Sequence, residues 1–407
     1  MKYVEEVEKA YTMITVMEEA SRCLLCHDAP CSKACPAGTD PARFIRSIRF
    51  RNFKGAAEII RDNNALGASC ARVCPTERYC QSACSRCGID KPINIGGLQK
   101  FATDFEEQCG MEILHAGKPN GKNVAIIGSG PAGLQAAASL LQLGYAVDIY
   151  EKNEKAGGYL RYGIPEYHLP NAIVDAEIAR IVKLGANIKL KCAVGRDIAM
   201  DDLKAKYDAV LVAVGFSASK MLAAFKDNPN VESATEFLAR VKEAKGEVEI
   251  PQDVVVIGGG DSAMDVSTTL KLLGAKSVTN VIRKEFDGFR ASRNKIAYAE
   301  SIGVTILGGY VPQKMEGKVV TFKHCRLNST FEIESEKVIL AVGQEVNGEG
   351  LGMEFPNGVV DFEGAQSKED KVFVAGDIAH GDKTVVWAVK TGKEAAEAIH
   401  NFLGGNK

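Results

Sequence analysis

The sequence predicts an α/β protein with an all-α N-terminal part, and three observations support this fold class. A pattern of strand, glycine-rich turn and helix begins at Asn123 and recurs at Asp253. A short apolar segment that ends in Val-Gly also occurs twice, at 208–215 and 337–343. Residues 1 to about 115 contain little that resembles a strand. Because repeated strand–helix units form parallel sheets covered by helices, we expect two related α/β units after a helical segment.

The helical segment is predicted from the spacing of its apolar residues. Helices are expected over 3–22 and, singly or as a pair, over 41–63. Loops between them carry most of the cysteines, and the stretch AGKPNG at 116–121 is expected to be a linker. The apolar face expected for 41–63 consists of Phe44, Ile45, Ile48, Phe53, Ile59 and Ile60.

The first α/β unit contains the fingerprint of a dinucleotide site. After an apolar strand, Gly128, Gly130 and Gly133 have the G-x-G-x-x-G spacing and lead into a helix predicted from Pro131 to about Leu143. The first glycine permits a tight turn, the second lets the backbone approach a pyrophosphate, and the third allows close packing of helix on strand. The amides at the helix N-terminus then face the pyrophosphate.

A carboxylate completes this fingerprint. Glu151 ends the second strand, just over twenty residues after Gly128, where an acid accepts hydrogen bonds from a ribose. Asp377 follows another predicted strand, at the sheet edge where ligands bind in doubly wound folds, although a turn or helix-cap role fits the local sequence equally well. The remaining candidates for this site are Pro131, Ala132, Gly158, Leu160 and Gly376.

The second α/β unit repeats the pattern with alanine in the third position. Gly258, Gly260 and Ala263 form a G-x-G-x-x-A motif between a strand and a helix, and 277–282 is the expected second strand. One chain is therefore predicted to contain two nucleotide sites. The other candidates for the second site are Asp261, Ser262, Arg283, Lys284, Arg290, Ala341 and Gly343.

The repeated Val-Gly segments indicate that one unit is inserted into the other. The chain is expected to leave the first unit near Gly215 and to return near Gly343. The predicted domains are a helical domain, a discontinuous Rossmann-like domain, and a second Rossmann-like domain nested within it. Their predicted bounds are 1–117 for the first, 118–215 and 344–407 for the second, and 216–343 for the third.

Composition and charge are those of an ordinary globular protein. Of the 407 residues, 46% are hydrophobic and 25% are charged, and a net charge of −2 gives no reason to expect nucleic acid or a membrane as partner. The start of the chain, MKYVEEVEKA, lacks the apolar core of a signal peptide, so a cytoplasmic location is expected. In that compartment the twelve cysteines indicate metal or cluster binding rather than disulfides.

Eight of the cysteines form two blocks whose spacing is typical of iron–sulfur clusters. The blocks consist of Cys23, Cys26, Cys31 and Cys35, and of Cys70, Cys74, Cys80 and Cys84. Cys35 and Cys74 precede prolines, as does the cysteine that ligates the other cluster in two-cluster ferredoxins. Zinc sites usually contain paired C-x2-C knuckles, and within the two blocks only Cys23 and Cys26 form such a pair, so zinc is the weaker alternative. We expect His27 to be a solvated loop residue. Three isolated cysteines are expected to be ordinary thiols: Cys109, Cys192 and Cys325.

Together these motifs resemble the NAD(P)H-accepting subunits of bacterial dihydropyrimidine dehydrogenases. The resemblance covers essentially the whole chain and extends to the N-terminal half of the eukaryotic enzyme and, more distantly, to the small subunit of glutamate synthase. It implies FAD at the first fingerprint and NADH or NADPH at the inserted one. The stretches that carry it are CxxCxDAPCxxxCP, NALGASCARVCPTERYC, PINIGGLQKFATDF, GGYLRYGIPEYHLP, GGGDSAMD and AGDIAHGDKTVVWAVKTGKEAAEAIH.

The resemblance further implies two [4Fe-4S] clusters in a crossed arrangement. The implied ligands are Cys23, Cys26, Cys31 and Cys84 for one cluster, and Cys35, Cys74, Cys80 and Gln99 for the other. Spacing alone equally allows each block to surround its own cluster, and it does not distinguish Gln99 from an ordinary polar residue on a helix. Cys70 matches the family pattern without being a ligand in it, and Cys87 has no implied role.

The implied activity is that of an electron-input subunit of a dihydropyrimidine dehydrogenase (NAD+)-type oxidoreductase. NAD(P)H gives a hydride to FAD, and single electrons then pass through the clusters to a catalytic partner containing FMN and iron–sulfur clusters. In the family this partner interconverts uracil or thymine and their 5,6-dihydro forms, commonly in a heterotetramer. Hydride transfer requires orientation rather than an acid–base group, so no catalytic side chain is predicted. No C-x-x-C lies near the inserted unit, so a dithiol mechanism is not expected.

The sequence contains conflicting indications of whether NADH or NADPH is used, and it leaves other functions open. Arg283 and Lys284 follow the second strand of the inserted unit in place of an acid, with Arg290 nearby, and basic residues there accept the 2′-phosphate of NADPH. Overall resemblance to the bacterial enzymes favours NADH. The alternatives are a glutamate synthase small subunit, a ferredoxin:NAD(P) oxidoreductase and, outside enzymes, an iron–sulfur redox sensor whose nucleotide sites are only structural.

Overall fold

The computed structural model describes residues 2–226 and 228–404, which divide into two compact units. We call them the main unit and the inserted unit. The inserted segment, Ser217–Glu345, begins and ends within a few residues of the expected borders. The inserted unit also includes Met1–Val7 and Arg161–Pro170, which the sequence had assigned to the other two domains. The division into three domains remains a prediction. The main unit comprises Glu8–Leu160, Asn171–Phe216 and Val346–Lys407.

The first part of the main unit is helical. Its helices are α1 (Met13–Ser21), α2 (Pro30–Lys33), α3 (Pro41–Arg49), α4 (Phe53–Asn63), α5 (Gly67–Val73) and α6 (Ile95–Gln108). Helices α3 and α4 confirm the pair predicted over 41–63, and Asn52 begins the second by accepting a hydrogen bond from the Gly55 nitrogen at 2.9 Å. The predicted apolar face is buried in one core with residues of α1 and α6, except that Ile59 is half-buried.

The helix predicted over 3–22 is wrong in its first half, because α1 begins at Met13. The Thr12 hydroxyl accepts a hydrogen bond from the Thr15 nitrogen, and the Thr15 hydroxyl accepts one from the Thr12 nitrogen. This reciprocal capping fixes the start of the helix. Tyr3 is instead buried in the inserted unit, with its ring centre 5.8 Å from that of Tyr167.

The main unit continues with alternating strands and helices. Its next elements are β1 (Asn123–Ile127), α7 (Pro131–Gln142), β2 (Ala146–Tyr150), α8 (Tyr159–Tyr162), α9 (Asn171–Lys183), β3 (Asn187–Lys189), α10 (Met200–Lys206) and β4 (Ala209–Val212). The helical turn α8 interrupts the loop expected after Glu151. The expected linker forms neither helix nor strand, but its backbone is attached to the end of α7 through Gly117 N to Leu141 O and Asn120 N to Gly144 O, both 3.0 Å.

The inserted unit contains a parallel sheet and a three-stranded antiparallel sheet, besides a two-stranded antiparallel pair formed by the two ends of the inserted segment. Its elements are β5 (Ala218–Ser219), β6 (Val231–Ser233), α11 (Ala234–Glu243), β7 (Asp253–Ile257), α12 (Asp261–Leu272), β8 (Ser277–Ile282), α13 (Arg293–Ser301), β9 (Thr305–Gly308), β10 (Tyr310–Glu316), β11 (Val319–His324), β12 (Thr330–Glu334), β13 (Lys337–Leu340) and β14 (Gln344–Glu345). The parallel sheet has the order β6-β13-β7-β8-β9, and β10, β11 and β12 form the antiparallel one.

The chain then returns to the main unit. Its last elements are β15 (Phe362–Glu363), β16 (Gln366–Ser367), β17 (Val372–Val374) and α14 (Val385–Phe402). The sheet of the main unit has the order β15-β16-β17-β4-β1-β2-β3, and the strands from β17 to β3 are parallel. The segments that follow β1, β2 and β17 therefore meet at one edge of the sheet, which is where doubly wound folds bind ligands. Among the described residues, no helix is long and apolar enough to cross a bilayer.

Candidate cofactor sites

The turn after β1 shows why each glycine of the first fingerprint is needed. Gly128 has φ +103°, and a Cβ there would lie 2.5 Å from the carbonyl oxygen of Ala213. A Cβ on Gly133 would lie 2.1 Å from the Gly128 oxygen, so that α7 can pack closely on β1 only with glycine. A Cβ on Gly130 would meet nothing within 4 Å. The middle glycine therefore faces open space before the first turn of α7, which starts with Pro131.

Glu151 is buried and anchors the glycine-rich turn. One of its carboxylate oxygens accepts hydrogen bonds from the Ser129 nitrogen at 3.1 Å and the Ser129 hydroxyl at 2.5 Å. The other oxygen accepts one from the Asn153 nitrogen at 2.8 Å. The expected ribose contact would therefore have to use the remaining lone pairs of this carboxylate. The sequence does not predict this role of Ser129, because Ser129 occupies a variable position of the fingerprint.

The other candidates of the first site lie around the same turn. Gly158 has φ +52°, and a Cβ there would be 2.7 Å from Gly130 Cα. The Gly376 nitrogen donates to the Thr391 hydroxyl at 2.9 Å, which ties the turn after β17 to α14. Ala132 packs against that turn, since a Cβ on Gly376 would be 3.2 Å from Ala132 Cβ. Leu160 is fully buried. The structure thus places Gly158, Ala132 and Gly376 beside Gly130, as the sequence predicts for a common site.

Asp377 lies next to a lysine that holds its turn. The Lys383 ammonium donates to the carbonyl oxygens of Asp377 at 2.5 Å and Ala379 at 2.8 Å. Burial raises the pKa of the Asp377 carboxyl, and the charge of Lys383 opposes that rise. Burial likewise lowers the pKa of Lys383. Lys383 therefore holds the turn through backbone oxygens.

The second fingerprint, in the inserted unit, has the same geometry. Gly258 has φ +153°, and a Cβ there would lie 2.3 Å from the oxygen of Ala341, which begins the segment after β13. A Cβ on Gly260 would meet nothing within 4 Å. Ala263 is fully buried, so that its methyl group fits where the first fingerprint has glycine. Gly343 has φ +108° and its oxygen accepts from the Lys220 nitrogen at 3.1 Å. Two open glycine turns thus exist in one chain.

A segment after β8 folds back onto this second turn. The Gly259 oxygen accepts hydrogen bonds from the nitrogens of Arg290 and Ala291, both at 3.1 Å. Asp261 accepts one from the Ser292 nitrogen at 2.7 Å. Asp261 and Ser262 open α12, but the Asp261 carboxylate is thus partly engaged by its own chain. The predicted basic residues that follow β8 have exposed side chains: Arg283, Lys284 and Arg290.

A buried acid lies one turn further along α12. The Asp265 carboxylate is bound by the Lys295 ammonium at 2.7 and 2.8 Å and lies 3.4 Å from His168 Nε2. Burial alone would raise the pKa of Asp265, but Lys295 and His168 outweigh it and lower the pKa. These contacts attach 161–170 and α13 to α12. No local sequence pattern predicts these contacts, because the three residues lie far apart in the chain.

Four cysteines and Gln99 line a single cavity in the helical part. The cavity is lined by the predicted ligands Cys35, Cys74, Cys80 and Gln99, and by the buried Cys70, which is not a predicted ligand. We call these four predicted ligands the inner cysteine group. Gln99 is buried, and its amide nitrogen donates to the Gly67 oxygen at 2.7 Å. That bond orients the amide and leaves its oxygen as the donor atom for a metal.

The electrostatics of the inner group favour neutral thiols in the absence of a cation. Burial raises the pKa of Cys80 to about 12, with Cys35 adding to the effect. Burial also raises the pKa of Cys74 well above its usual range, with Cys70, Cys80 and Cys35 as contributing neighbours. The positive charge of bound iron would reverse this preference, since ligating thiols bind as thiolates.

The other predicted ligands, Cys23, Cys26, Cys31 and Cys84, form the outer cysteine group. Burial raises the pKa of Cys31 to about 11, and the neighbouring Cys84 and Cys23 add to it. Cys26 Sγ lies 3.4 Å from the hydroxyl of Ser85, the residue after Cys84. Cys84 of the second block is thus a neighbour of the first block, which is compatible with the crossed arrangement and not expected of two separate blocks.

The donor sets fit iron–sulfur clusters chemically. Within 2–226 and 228–404, no three His, Cys, Asp or Glu side chains converge closely enough to hold a single metal ion. A four-iron cluster has a different requirement, because each ligand binds a separate iron at a corner of the cage. Cys192 and Cys325 lie outside both groups, and the Cys325 thiol donates to the Arg283 oxygen at 3.1 Å.

One element reaches both the first nucleotide site and the inner group. Helix α14 is attached to the Gly376 turn by Thr391, and Val386 in its first turn lines the inner cavity. The hydroxyl of Tyr79, which precedes Cys80, donates to Asp382 at 2.7 Å just before α14 begins. The open glycine turn and the inner cysteine group are therefore neighbours within the main unit.

Comparison with known families identifies two domains. Residues 1–111 match the family described as dihydropyrimidine dehydrogenase domain II, 4Fe-4S cluster. Residues 122–392 match the family described as pyridine nucleotide-disulphide oxidoreductase. These matches agree with the predicted order of a helical iron–sulfur domain followed by nucleotide-binding α/β domains.

Relatives match the chain over its whole length. The NAD-dependent dihydropyrimidine dehydrogenase subunit PreT of Escherichia coli strain K12 is 54% identical over 404 residues, 99% of this chain and 98% of its own. The subunit of the same name from Salmonella typhimurium is 52% identical over 402 residues, 98% of this chain and 97% of its own.

Solved structures show the same fold at low sequence identity. FprA of Mycobacterium tuberculosis in complex with NADPH has a TM-score of 0.59 at 17% identity, covering 70% of this chain and 85% of its own. Thioredoxin reductase of Lactococcus lactis has a TM-score of 0.55 at 20% identity, covering 69% of this chain and 99% of its own. The predicted nested nucleotide-binding fold is thereby confirmed as a fold class.

Proposed function

The chain belongs to the family of NAD-dependent dihydropyrimidine dehydrogenase subunits, and on that premise we propose that it is the electron-input subunit of such an enzyme. It is an oxidoreductase with a 4Fe-4S domain and a pyridine nucleotide domain. We assign FAD to the turn after β1, the nicotinamide dinucleotide to the turn after β7, and a [4Fe-4S] cluster to each cysteine group. When bound, these groups supply the conversion of a two-electron hydride donor into single electrons.

The observation that carries the proposal is the position of Val386. This residue lines the inner cysteine cavity, and the helix that carries it is attached to the turn of the first nucleotide site. Electrons from a flavin bound at that turn would thus have a short path through packed protein to the inner group. A nucleotide site with a merely structural role gives no reason for this proximity.

The residues of the chain bind and orient rather than react. Gly130 and the first turn of α7 leave room for a pyrophosphate, and Glu151 holds the turn in shape. The Gly67 oxygen accepts a hydrogen bond from the Gln99 amide nitrogen, which leaves the amide oxygen to bind iron. No side chain is assigned as an acid or base, because hydride transfer requires none.

We assign the step on the pyrimidine to a partner subunit. The relatives are named as subunits of a dihydropyrimidine dehydrogenase. We propose a catalytic subunit containing FMN and iron–sulfur clusters, which interconverts uracil or thymine and their 5,6-dihydro forms within a heterotetramer. A cytoplasmic location is supported by the twelve cysteines, all of which are free.

Cofactor content and activity together test the proposal. Anaerobically purified chain should contain about eight iron atoms and one FAD, since two four-iron clusters are expected. NADH should reduce menadione, an artificial acceptor, and should reduce uracil only when the FMN-containing subunit is added. Zinc with little iron contradicts the cluster assignment, and failure to reduce menadione favours a sensor. NADPH oxidation that depends on glutamine and 2-oxoglutarate, in the presence of a glutaminase-bearing subunit, instead assigns the chain to glutamate synthase.

A further inference from the structure

The surface around the outer cysteine group exposes large apolar side chains. Phe50, Ile89 and Leu24 have 71%, 64% and 47% of their surface accessible to solvent. Leu24 lies between two predicted ligands of the outer group, Cys23 and Cys26. Single exposed apolar residues are common on protein surfaces, but several beside one functional site indicate a binding surface.

Hydrogen bonds place the other two apolar residues beside the same group. Arg49, at the end of α3, donates to the Cys23 oxygen at 3.2 Å, and Phe50 is the next residue. Arg86 donates to the oxygen of Arg22, just before Cys23, at 3.1 Å. The short 3-10 helix that contains Arg86 leads directly into Ile89. Two separate segments therefore bring exposed apolar side chains to the outer group.

The same face of α3 is strongly basic. Arg43, Arg46 and Phe50 are spaced by three and four residues, so they form one stripe along the helix. Arg51 follows at its end. The side chains of Arg43, Arg46 and Arg51 are exposed, and none of the ion pairs among the described residues involves them.

Two acids near this surface are engaged by other cations, and Asp40 at the start of α3 accepts hydrogen bonds from the Ser32 hydroxyl and the Arg43 nitrogen. Asp28 lies 2.5 Å from the Lys33 ammonium. Asp90 is bound by Arg22 at 3.2 Å and by Arg86 at 2.8 Å. The arginines of α3 therefore leave an uncompensated positive charge on this face. Such a face binds a partner that supplies acidic groups, and charge complementarity of this kind speeds association and excludes wrong partners.

We propose that Arg43, Arg46, Phe50, Leu24 and Ile89 form the docking surface for an electron-accepting protein with an acidic, partly apolar face. This inference deepens the proposed function and rests on it, because it assumes that electrons leave through the outer group. Arginine and aromatic residues are enriched in protein interfaces. A second copy of this chain fits poorly, because a two-fold interface centred on this surface would place the arginine stripe opposite itself. The partner's matching face is expected to be rich in Asp and Glu.

The test uses charge reversal in the full-length holoprotein. Arg43→Glu/Arg46→Glu reverses the stripe, and Phe50→Ala removes its apolar end. Arg43→Lys/Arg46→Lys keeps the charge, and Lys206→Glu/Arg326→Glu makes the same charge change at exposed positions outside this surface. Each variant is assayed for binding to the separately purified FMN-containing subunit, for NADH-driven reduction of an acidic [2Fe-2S] ferredoxin, and for NADH-driven reduction of uncharged menadione.

The expected result is selective loss of reactions with proteins. Charge reversal should weaken binding of the FMN-containing subunit and reduction of the ferredoxin roughly tenfold or more, with menadione reduction unchanged. Phe50→Ala should weaken binding and ferredoxin reduction less strongly than charge reversal does. Arg43→Lys/Arg46→Lys and Lys206→Glu/Arg326→Glu should behave as the wild type. Added salt should weaken wild-type binding much more than that of the reversed variant.

Each other outcome is decisive. If charge reversal leaves binding and ferredoxin reduction unchanged, the docking surface is wrong, while uracil reduction by the wild-type pair still supports the proposed function. The wild type could fail to bind the FMN-containing subunit and yet reduce ferredoxin, with charge reversal weakening that reduction. The docking surface is then supported and the proposed function is wrong. If the wild-type chain reduces neither the FMN-containing subunit nor the ferredoxin, both the docking surface and the proposed function are wrong. If sedimentation shows a wild-type dimer that charge reversal dissociates, the surface joins two copies of this chain and the proposal is wrong.

Discussion

Ser69 and Glu177 are joined by two hydrogen bonds to one carboxylate oxygen, although 108 residues separate them. The oxygen accepts from the Ser69 nitrogen at 3.2 Å and from the Ser69 hydroxyl at 2.5 Å. The other oxygen of Glu177 accepts from the Ala68 nitrogen and from Arg61, both at 2.7 Å. A residue of α9 therefore caps the helix that supplies Cys70 and leads to Cys74, which connects the nucleotide-binding part to the cysteine-bearing part.

Removing this carboxylate is expected to be strongly destabilising. In Glu177→Ala, the Arg61 guanidinium loses one of its two buried acid partners, the other being Glu106 at 2.7 Å. Breaking a buried pair in this way costs about 3–5 kcal/mol. Denaturant unfolding of the main unit should show it. The control is Glu112→Ala, which breaks the exposed pair with Lys183 and should cost less than about 1 kcal/mol. Equal effects of the two substitutions would contradict the capping role.

Sequence reasoning identifies the local parts of these sites and misses those made by distant residues. The glycines of both fingerprints carry their own signal, because each spacing reflects a turn followed by a helix within a dozen residues. Glu177, Arg61 and Asp265 look like ordinary charged positions on helices. Their burial depends on which helices meet, and no local pattern encodes that. The segment that contains Tyr3 is predicted to be helical because its acids indicate an exposed helical face. Its burial depends on the distant Tyr167, which no local pattern encodes.

The first fingerprint offers a matched pair of substitutions with opposite expected effects. Gly133→Ala places a methyl group 2.1 Å from the Gly128 backbone oxygen, so α7 must move, at a cost of about 1–3 kcal/mol. Gly130 has φ −70° and ψ 179°, which alanine adopts readily, and its new methyl group would meet only open space. We therefore expect Gly130→Ala to fold normally and to lose FAD. Melting curves measure the stability of both variants, and flavin absorbance measures their FAD content. Full FAD content in Gly130→Ala would mean that the pyrophosphate binds elsewhere.

Iron content distinguishes ligands from neighbours among the cysteines. Replacing Cys23 or Cys80 by serine should remove about half of the iron, since each is assigned to a different cluster. Cys70→Ser is the matched control, because Cys70 is buried in the inner cavity but is not an assigned ligand. It should retain all of the iron. Iron and sulfide analysis of anaerobically purified protein measures this. If Cys70→Ser loses iron and Cys80→Ser retains it, Cys70 is the cluster ligand and Cys80 is only a neighbour.

Gln99 is the least ordinary ligand in the assignment, and its position makes the assignment testable. It is buried and lines the same cavity as the three cysteines assigned to the inner cluster. A neutral amide in place of a thiolate changes the net charge of the cluster and hence its potential. Gln99→Cys should lower the midpoint potential of the inner cluster and change its EPR spectrum. An unchanged potential and spectrum would mean that Gln99 is only a neighbour of the site.

The choice of nicotinamide depends on the exposed residues after β8. An acid that could select NADH does not follow Ile282; the chain continues with Arg283 and Lys284. Glu285 lies 3.8 Å from His324, and the described ion pairs include none between Glu285 and Arg283. The Arg283 guanidinium is therefore available to a ligand. Overall similarity to relatives that are named NAD-dependent favours NADH, whereas these local residues favour substantial use of NADPH.

Steady-state kinetics with both nucleotides resolve this conflict. In Arg283→Ala and Arg290→Ala, kcat/KM for NADPH should fall roughly ten- to hundredfold, because a hydrogen bond from a charged group to the 2′-phosphate is worth about 1.5–3 kcal/mol. The value for NADH should change little, since NADH lacks that phosphate. Arg326→Ala is the control for a general loss of positive charge, as Arg326 is an exposed arginine of the same unit. If both variants leave the NADPH value unchanged, these arginines do not read a 2′-phosphate.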